Sequence, residues 1–214
     1  QIQTPLGVLQ AVAVYYMPPK WQQFYKVALY IPVVLPASVV AVMWKFMLNK
    51  DIGLVNTLLR LVGLDNLTHA WIGEKSTALG TVIAVNTWQY IGFTMVLFYI
   101  ALMNISKDVL ESAAVDGATK KDLFFNFFLP LTAGKTETNV ILSISGGMNS
   151  YALFYMLTGG GPGKATTVVA QLIYTTAFVD FKFYRALAMS TVLFIIILTL
   201  VLISRLIGRR YNYE

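Results

Sequence analysis

The sequence predicts an all-α membrane protein, a polytopic helical bundle of about five spans. Composition is the first reason. Of 214 residues, 57% are hydrophobic and 12% charged, and mean hydropathy is +0.66. Soluble domains carry about 25% charged residues, so this chain lacks the polar surface needed to face water on every side. Charge distribution is the second. Residues 76–106, 138–163 and 186–204 contain no Asp, Glu, Lys or Arg. Each is about long enough to cross a hydrocarbon core of roughly 30 Å as a helix. The third is an aromatic content of 14%, which suits the belts that form where a bilayer meets water.

The same composition removes several function classes. With no Cys, there is no disulfide, thiolate metal site or Cys nucleophile. The one histidine, His69, lies in a polar connector without a second ligand at useful spacing. No nucleophile–base pair is available, so the chain is not expected to be an enzyme. The net charge of +6 is scattered over connectors and forms no dense basic stripe, which argues against nucleic acid. No predicted span carries a charged residue near its middle, the feature expected of a carrier driven by protons or sodium. A transporter lacking its own energy source needs a partner that supplies it.

Taken in order, Gln1–Pro19 is uncharged, but Gln1, Gln3, Pro5 and Gln10 make it a weak span. Pro18-Pro19 breaks the helix. Lys20–Lys26, with Trp21, Phe24 and Tyr25, reads as an interfacial connector. Val27–Trp44 is the next expected span, kinked by Pro32 and Pro36. Asp51–Lys75 is a connector with a short amphipathic helix at Leu54–Val62. Ser76–Ser106 is too long for one straight span, so a span with interfacial ends is expected. Its middle holds Asn86, Thr87, Trp88, Gln89, Tyr90 and Thr94. Such residues serve either as interhelical glue or as the wall of a polar path, and the sequence leaves both open.

Lys107–Leu131, KDVLESAAVDGATKKDLFFNFFLPL, lies between two uncharged flanks. Ser106 is placed to cap a first helix, with Asp108 and Glu111 near its positive end. Asp116-Gly117 supplies a stop, because glycine takes the left-handed conformation that closes a helix. Thr119 and Asp122 form a variant capping box that opens a second helix. Phe124, Phe125, Phe127 and Phe128 give it an apolar face, and Leu129-Pro130 is expected to end it.

Beyond the loop, Lys135 and Glu137 open a span that runs to about Leu157. Gly146-Gly147 predicts close helix approach or a local break. Asn149, Tyr151 and Tyr155 follow as candidates for lining a path. Gly159–Lys164 looks like a phosphate-binding loop but fails the test. That loop needs Gly where Thr158 stands and Ser or Thr where Ala165 stands. Ala165–Val179 reads as a helix in an external connector. Ala186–Ser204 is the last span. The positives that follow it, Arg205, Arg209 and Arg210, predict a cytoplasmic C-terminus.

The loop resembles the EAA loop of binding-protein-dependent ABC importer permeases, in the variant found in their sugar-transporting, maltose-transporter-like branch. That pattern is Glu-Ala-Ala, Asp-Gly-Ala, nine residues to an Ile, then any residue and Leu-Pro. Here it reads Glu111-Ser112-Ala113, Asp116-Gly117-Ala118, Phe127 and Leu129-Pro130, with Ser112 and Phe127 as departures. Three further stretches are similar to the family: Asn49–Asn56, Leu157–Pro162 with Thr166, and Tyr174–Phe178. The resemblance covers nearly the whole chain.

What the resemblance implies is specific. The fold is the type I ABC importer permease bundle, with the first family helix upstream of Gln1. The function is a transmembrane subunit of an ATP-driven importer for a sugar or oligosaccharide in the prokaryotic inner membrane. Partners are a second permease subunit, two cytoplasmic ATPase subunits and an extracytoplasmic sugar-binding protein. ATP and Mg are used by the ATPase, and this chain binds no cofactor and no metal. Glu111, Ser112, Ala113, Ala114, Asp116, Gly117 and Ala118 meet the ATPase. Asn86, Trp88, Gln89, Tyr90, Asn149, Tyr151 and Tyr155 are the candidates for the substrate path. Alternatives are a permease for glycerol phosphate and a membrane scaffold that carries nothing.

Overall fold

The computed structural model describes the backbone of residues 2–208, and their side chains except at 107, 114, 133–136, 148, 149, 207 and 208. Arg209 and Arg210 therefore lie outside the described residues. The elements are helical, with no strand among them. In order they are α1 (Gln3–Tyr15), α2 (Pro19–Val34), α3 (Ala37–Met47), α4 (Leu54–Leu61), α5 (Lys75–Met103), α6 (Lys107–Val115), α7 (Lys120–Asp122), α8 (Leu129–Leu131), α9 (Ala133–Asn149), α10 (Ala152–Thr158), α11 (Val169–Tyr174) and α12 (Phe183–Gly208). One short 3₁₀ turn spans Asp65–Leu67, and π-helical turns span Leu123–Phe128 and Thr175–Val179.

Two helices, Lys75–Met103 and Phe183–Leu206, are each long and apolar enough to cross a membrane. Two bent pairs, α2 with α3 and the α9 segment Glu137–Gly147 with α10, raise the number to four if each pair is one broken span. The expected span in Gln1–Pro19 is a 13-residue helix. By length it falls short of the ~20 residues that a crossing needs.

Three expectations change in detail. Residues 75–103 form one unbroken 29-residue helix, where a span with distinct ends was expected. Between Val27 and Trp44 the chain is broken at Leu35-Pro36, beyond a simple kink. A proline ring removes a backbone donor and clashes with the preceding turn, and two prolines four residues apart do so twice. The break near Gly146-Gly147 falls instead at Ser150 and Tyr151, after both glycines have passed as helix. A Cβ at either glycine would meet nothing within 4 Å, so no close approach requires them.

The chain divides into two compact units. The first comprises Gln1–Val33, Tyr90–Ser145 and Leu198–Glu214. Its core joins Val8, Ala11 and Val14 of α1 to Met95, Phe98, Tyr99 and Leu102 of α5, with Phe128 of the loop. A polar chain crosses the same unit. Gln3 Nε2 donates to Thr94 Oγ1 at 2.8 Å, and Thr94 donates to Asn139 Oδ1 at 3.2 Å. Asn139 Nδ2 donates to Thr4 Oγ1 at 2.8 Å. Thr94 and Asn139 are fully buried, so these bonds tie α1, α5 and α9 where lipid offers no partners.

The second unit comprises Val34–Gln89 and Gly146–Ile197. Its core sets Val40, Ala41 and Leu48 against Val82, Val85, Leu153, Phe154 and Leu157. Asn49–Asn56 owes its pattern to local structure. Asn49 Oδ1 accepts the backbone N–H groups of Asp51 and Ile52, and a Cβ at Gly53 would strike the Asn49 backbone. Asn56 is fully buried; it donates to the carbonyls of Lys50 and His69 and accepts from Trp71 Nε1 at 2.8 Å. His69 itself pairs with Glu74 at 3.2 Å on the surface, and no metal-binding cluster occurs among the described residues.

Candidate coupling surface

The loop folds as its sequence predicts, and more tightly. α6 starts directly after Ser106 and ends at Val115. Gly117 then takes φ +83°, and the Ala118 N–H returns to the Ala113 carbonyl at 2.9 Å. That long backward bond is the signature of a helix closed by a left-handed residue, and it satisfies a carbonyl otherwise left open. Thr119 opens the next segment with the capping box formed in both directions. Its hydroxyl accepts the Asp122 N–H, and the Asp122 carboxylate accepts the Thr119 N–H at 2.9 Å. Such a cap is worth about 1 kcal/mol.

The Thr119 hydroxyl also donates to the Asp122 carboxylate, and this bond first, then that from the Thr119 N–H, holds the Asp122 carboxyl below the ordinary carboxylate range. The sign follows: a depressed carboxyl stabilises the fold above its unfolded pKa, and that contribution is lost as pH falls through the folded value. The box is therefore fully formed at neutral pH.

Pro130 does not end the second segment. The chain passes through the π turn Leu123–Phe128 into α8, and Thr132 closes it. A π turn widens the helix by one residue, which makes room for the proline ring that follows. The four phenylalanines divide. Phe128 is buried against Tyr15 at 5.4 Å between ring centres and against Tyr16 at 6.2 Å. Phe124 and Phe127 are half-buried against the same core, and Phe125 stays exposed. The loop's second half is thus part of the core of its unit, packed with α1 and α5.

The exposed end of the turn is a compact mixed surface. Glu111, Ser112 and Asp116 are exposed. Ala113 is buried in the chain's own fold, and Ala118 is half-buried. The side chain of Ala114 lies outside the described residues. Val115, which sequence reasoning passed over, is 87% exposed. It stands between the exposed carboxylates of Glu111 and Asp116, beside the turn at Gly117. A recess of about 340 Å³ lies nearby, lined by Ala101, Asn104, Ile105, Ser106, Val109 and Leu131.

The candidate path residues have varied surroundings. Gln89 is buried and donates to the carbonyl of Leu35, which the break at Pro36 frees from the helix. That makes it glue. Trp88 packs edge-to-face with Trp44 at 5.4 Å between ring centres. Asn86 is half-buried with no hydrogen-bond partner among the described residues. Tyr90 is half-buried, and its carbonyl accepts from Gln3. The Asn149 side chain lies outside the described residues. Tyr151 and Tyr155 come together, stacked at 5.1 Å.

The loop is thus a helix–turn–helix closed by a left-handed glycine. A family model for the inner membrane component of binding-protein-dependent transport systems matches residues 3–213. The chain belongs to this family. That family is one of transporter membrane components, not of catalytic enzymes. Its relatives include a probable ABC transporter permease of Bacillus subtilis, YurN, 37% identical over 185 residues, covering 86% of this chain and 63% of that protein. They also include the diacetylchitobiose uptake permease NgcF of Streptomyces coelicolor, 31% identical over 188 residues, covering 87% of this chain and 53% of that one. Other relatives are named for sn-glycerol-3-phosphate transport. The chain spans about half to two thirds of the length of these two proteins. Among solved structures, a bacterial ABC transporter importing the acidic polysaccharide alginate matches with a TM-score of 0.88 at 22% identity, over 98% of this chain and 73% of that one. The fold is that of an ABC importer permease.

Proposed function

We propose that this chain is the membrane subunit of an ATP-driven importer for a sugar or oligosaccharide. It forms part of the translocation path and receives force from a cytoplasmic ATPase at the loop between Lys107 and Leu131. A second, related permease completes the path, two ATPase subunits bind ATP and Mg, and a binding protein delivers the solute from outside. The C-terminus and the loop face the cytoplasm.

One observation carries the coupling role: the rigid, exposed turn of Glu111, Val115, Asp116 and Gly117 is rooted through Phe128 in the core of its unit. Closure of an ATPase around such a lever moves the helices behind it as a body. The diacetylchitobiose relative supports a saccharide as cargo. The relatives named for glycerol phosphate support a second reading, a phosphate-bearing solute. Against it stands the lack of Lys or Arg near the middle of the predicted spans, since a phosphate needs cationic partners.

The experiment is purification of the tagged permease with its neighbours. An ATPase co-purifies, and loaded binding protein speeds ATP hydrolysis severalfold over empty binding protein. A stable permease that retains no ATPase, at any nucleotide state, refutes the reading.

A further inference from the structure

We infer that the second unit carries an aromatic column that receives uncharged pyranose rings, which rests on the sugar reading above. Tyr151 stands at the break between α9 and α10. Its ring stacks on Tyr155, one turn along α10, at 5.1 Å and 23° between planes. It also stacks on Tyr174, at the end of α11, at 5.1 Å and 30°. Tyr174 leads across the π turn to Phe178 at 5.2 Å, and Phe178 meets Phe183 of α12 edge-on at 6.2 Å. Five rings from α10, α11 and α12 and from the two breaks beside them thus form one continuous series.

The series is not a core. Tyr155 and Tyr174 are 43% and 41% exposed, Phe178 61% and Phe183 55%. None of the three tyrosine hydroxyls has a hydrogen-bond partner among the described residues. Rings that pair with each other while their outer edges and phenols stay free present two chemistries along one line. Apolar ring edges suit the C–H face of a pyranose, and phenol groups donate to and accept from its hydroxyl rim. The five residues include no charge, so nothing in the column would neutralise a phosphate or a uronate. Several rings in file suit a chain of sugar units better than a single one.

Local backbone places the first and fourth of these rings. The break after Asn149 turns Tyr151 out of helical register, so that it faces both Tyr155 and Tyr174. Phe178 lies four residues beyond Tyr174, the spacing at which helical side chains share a face, and the π turn Thr175–Val179 keeps the pair in contact.

The test uses the complete complex, permease with its partner subunits and binding protein, in proteoliposomes. Probes are labelled malto- and chito-oligosaccharides of two to five units, with glycerol 3-phosphate as comparator. Tyr174→Ala and Phe178→Leu raise KM for oligosaccharide uptake tenfold or more, with a smaller change in maximal rate. Tyr174→Phe, which keeps the ring and loses the hydroxyl, raises it two- to fourfold. Tyr184→Ala, beside the column and 93% exposed, leaves uptake unchanged. Assembly of each variant is checked by size exclusion. Wild-type uptake of oligosaccharides with Tyr174→Phe and Phe178→Leu unaffected overturns the column alone. Wild-type uptake of glycerol 3-phosphate and no oligosaccharide overturns the sugar reading and the column together.

Discussion

Gly117→Val cuts ATP-driven uptake at least fivefold, and Gly117→Asn keeps most of it. The backbone at Gly117 has φ +83°, a region where a branched side chain is strained by about 1–3 kcal/mol. Nothing lies within 4 Å of a Cβ built there, so the cost is conformational and not a clash. Asparagine tolerates the left-handed region far better than valine, which makes the pair a test of backbone conformation alone. A penalty of 1–3 kcal/mol lowers the population of the closed turn roughly five- to hundredfold. The Ala118-to-Ala113 bond opens, and Glu111, Val115 and Asp116 no longer share one rigid surface. On the proposed coupling role, uptake falls with that population while the membrane helices still assemble. Equal uptake by the valine and asparagine variants would separate the turn's conformation from coupling.

Gly92→Ala has the larger effect on the fold itself. Gly92 lies on α5 where α2 crosses it within the first unit. A Cβ there would overlap the carbonyl of Leu29 and come 3.1 Å from the Tyr30 Cα. Both obstacles are backbone, so no side-chain rotation relieves them, and one methyl group must push two helices apart. Overpacking of this kind costs about 1–3 kcal/mol, and more where backbone must move. At roughly 2–4 °C per kcal/mol for a chain of this size, the thermal midpoint of the detergent-solubilised protein drops by about 5–10 °C. Gly80→Ala, on the same helix with nothing within 4 Å, is the control. It leaves the midpoint unchanged or raises it slightly, since alanine is the better helix former. A drop of equal size at both positions would show that helix α5 resents any side chain, and that the α2 crossing is not the cause.

The loop Lys107–Leu131 was almost fully legible in the sequence, because nearly every part of it follows a local rule. A glycine that ends a helix, a Thr-x-x-Asp box and an aromatic face are decided within a few residues. The loop's one surprise, continuation through Pro130, comes from a π turn that spacing alone does not announce. The path was far less legible. Nothing in the sequence announces that Gln89 serves a carbonyl 54 positions away or that Trp88 packs on Trp44. Polar residues in a span have two uses, and only tertiary partners tell them apart. The break at Ser150 was missed for a related reason. Glycines permit a break but do not place it, and the pair Gly146-Gly147 stays helical. Tyr174 and Phe178 were visible as part of a family-like stretch, but the stacking of Tyr174 on Tyr151 joins residues more than twenty positions apart.

The central claim is that the turn at Gly117 takes its motion from a neighbour that spends ATP. Uptake of labelled oligosaccharide into proteoliposomes, with the ATPase subunits present and then omitted, tests it directly. With them, ATP on their side and binding protein on the other, cargo accumulates against its gradient, and without them it does not. Equal accumulation in both preparations would contradict the account.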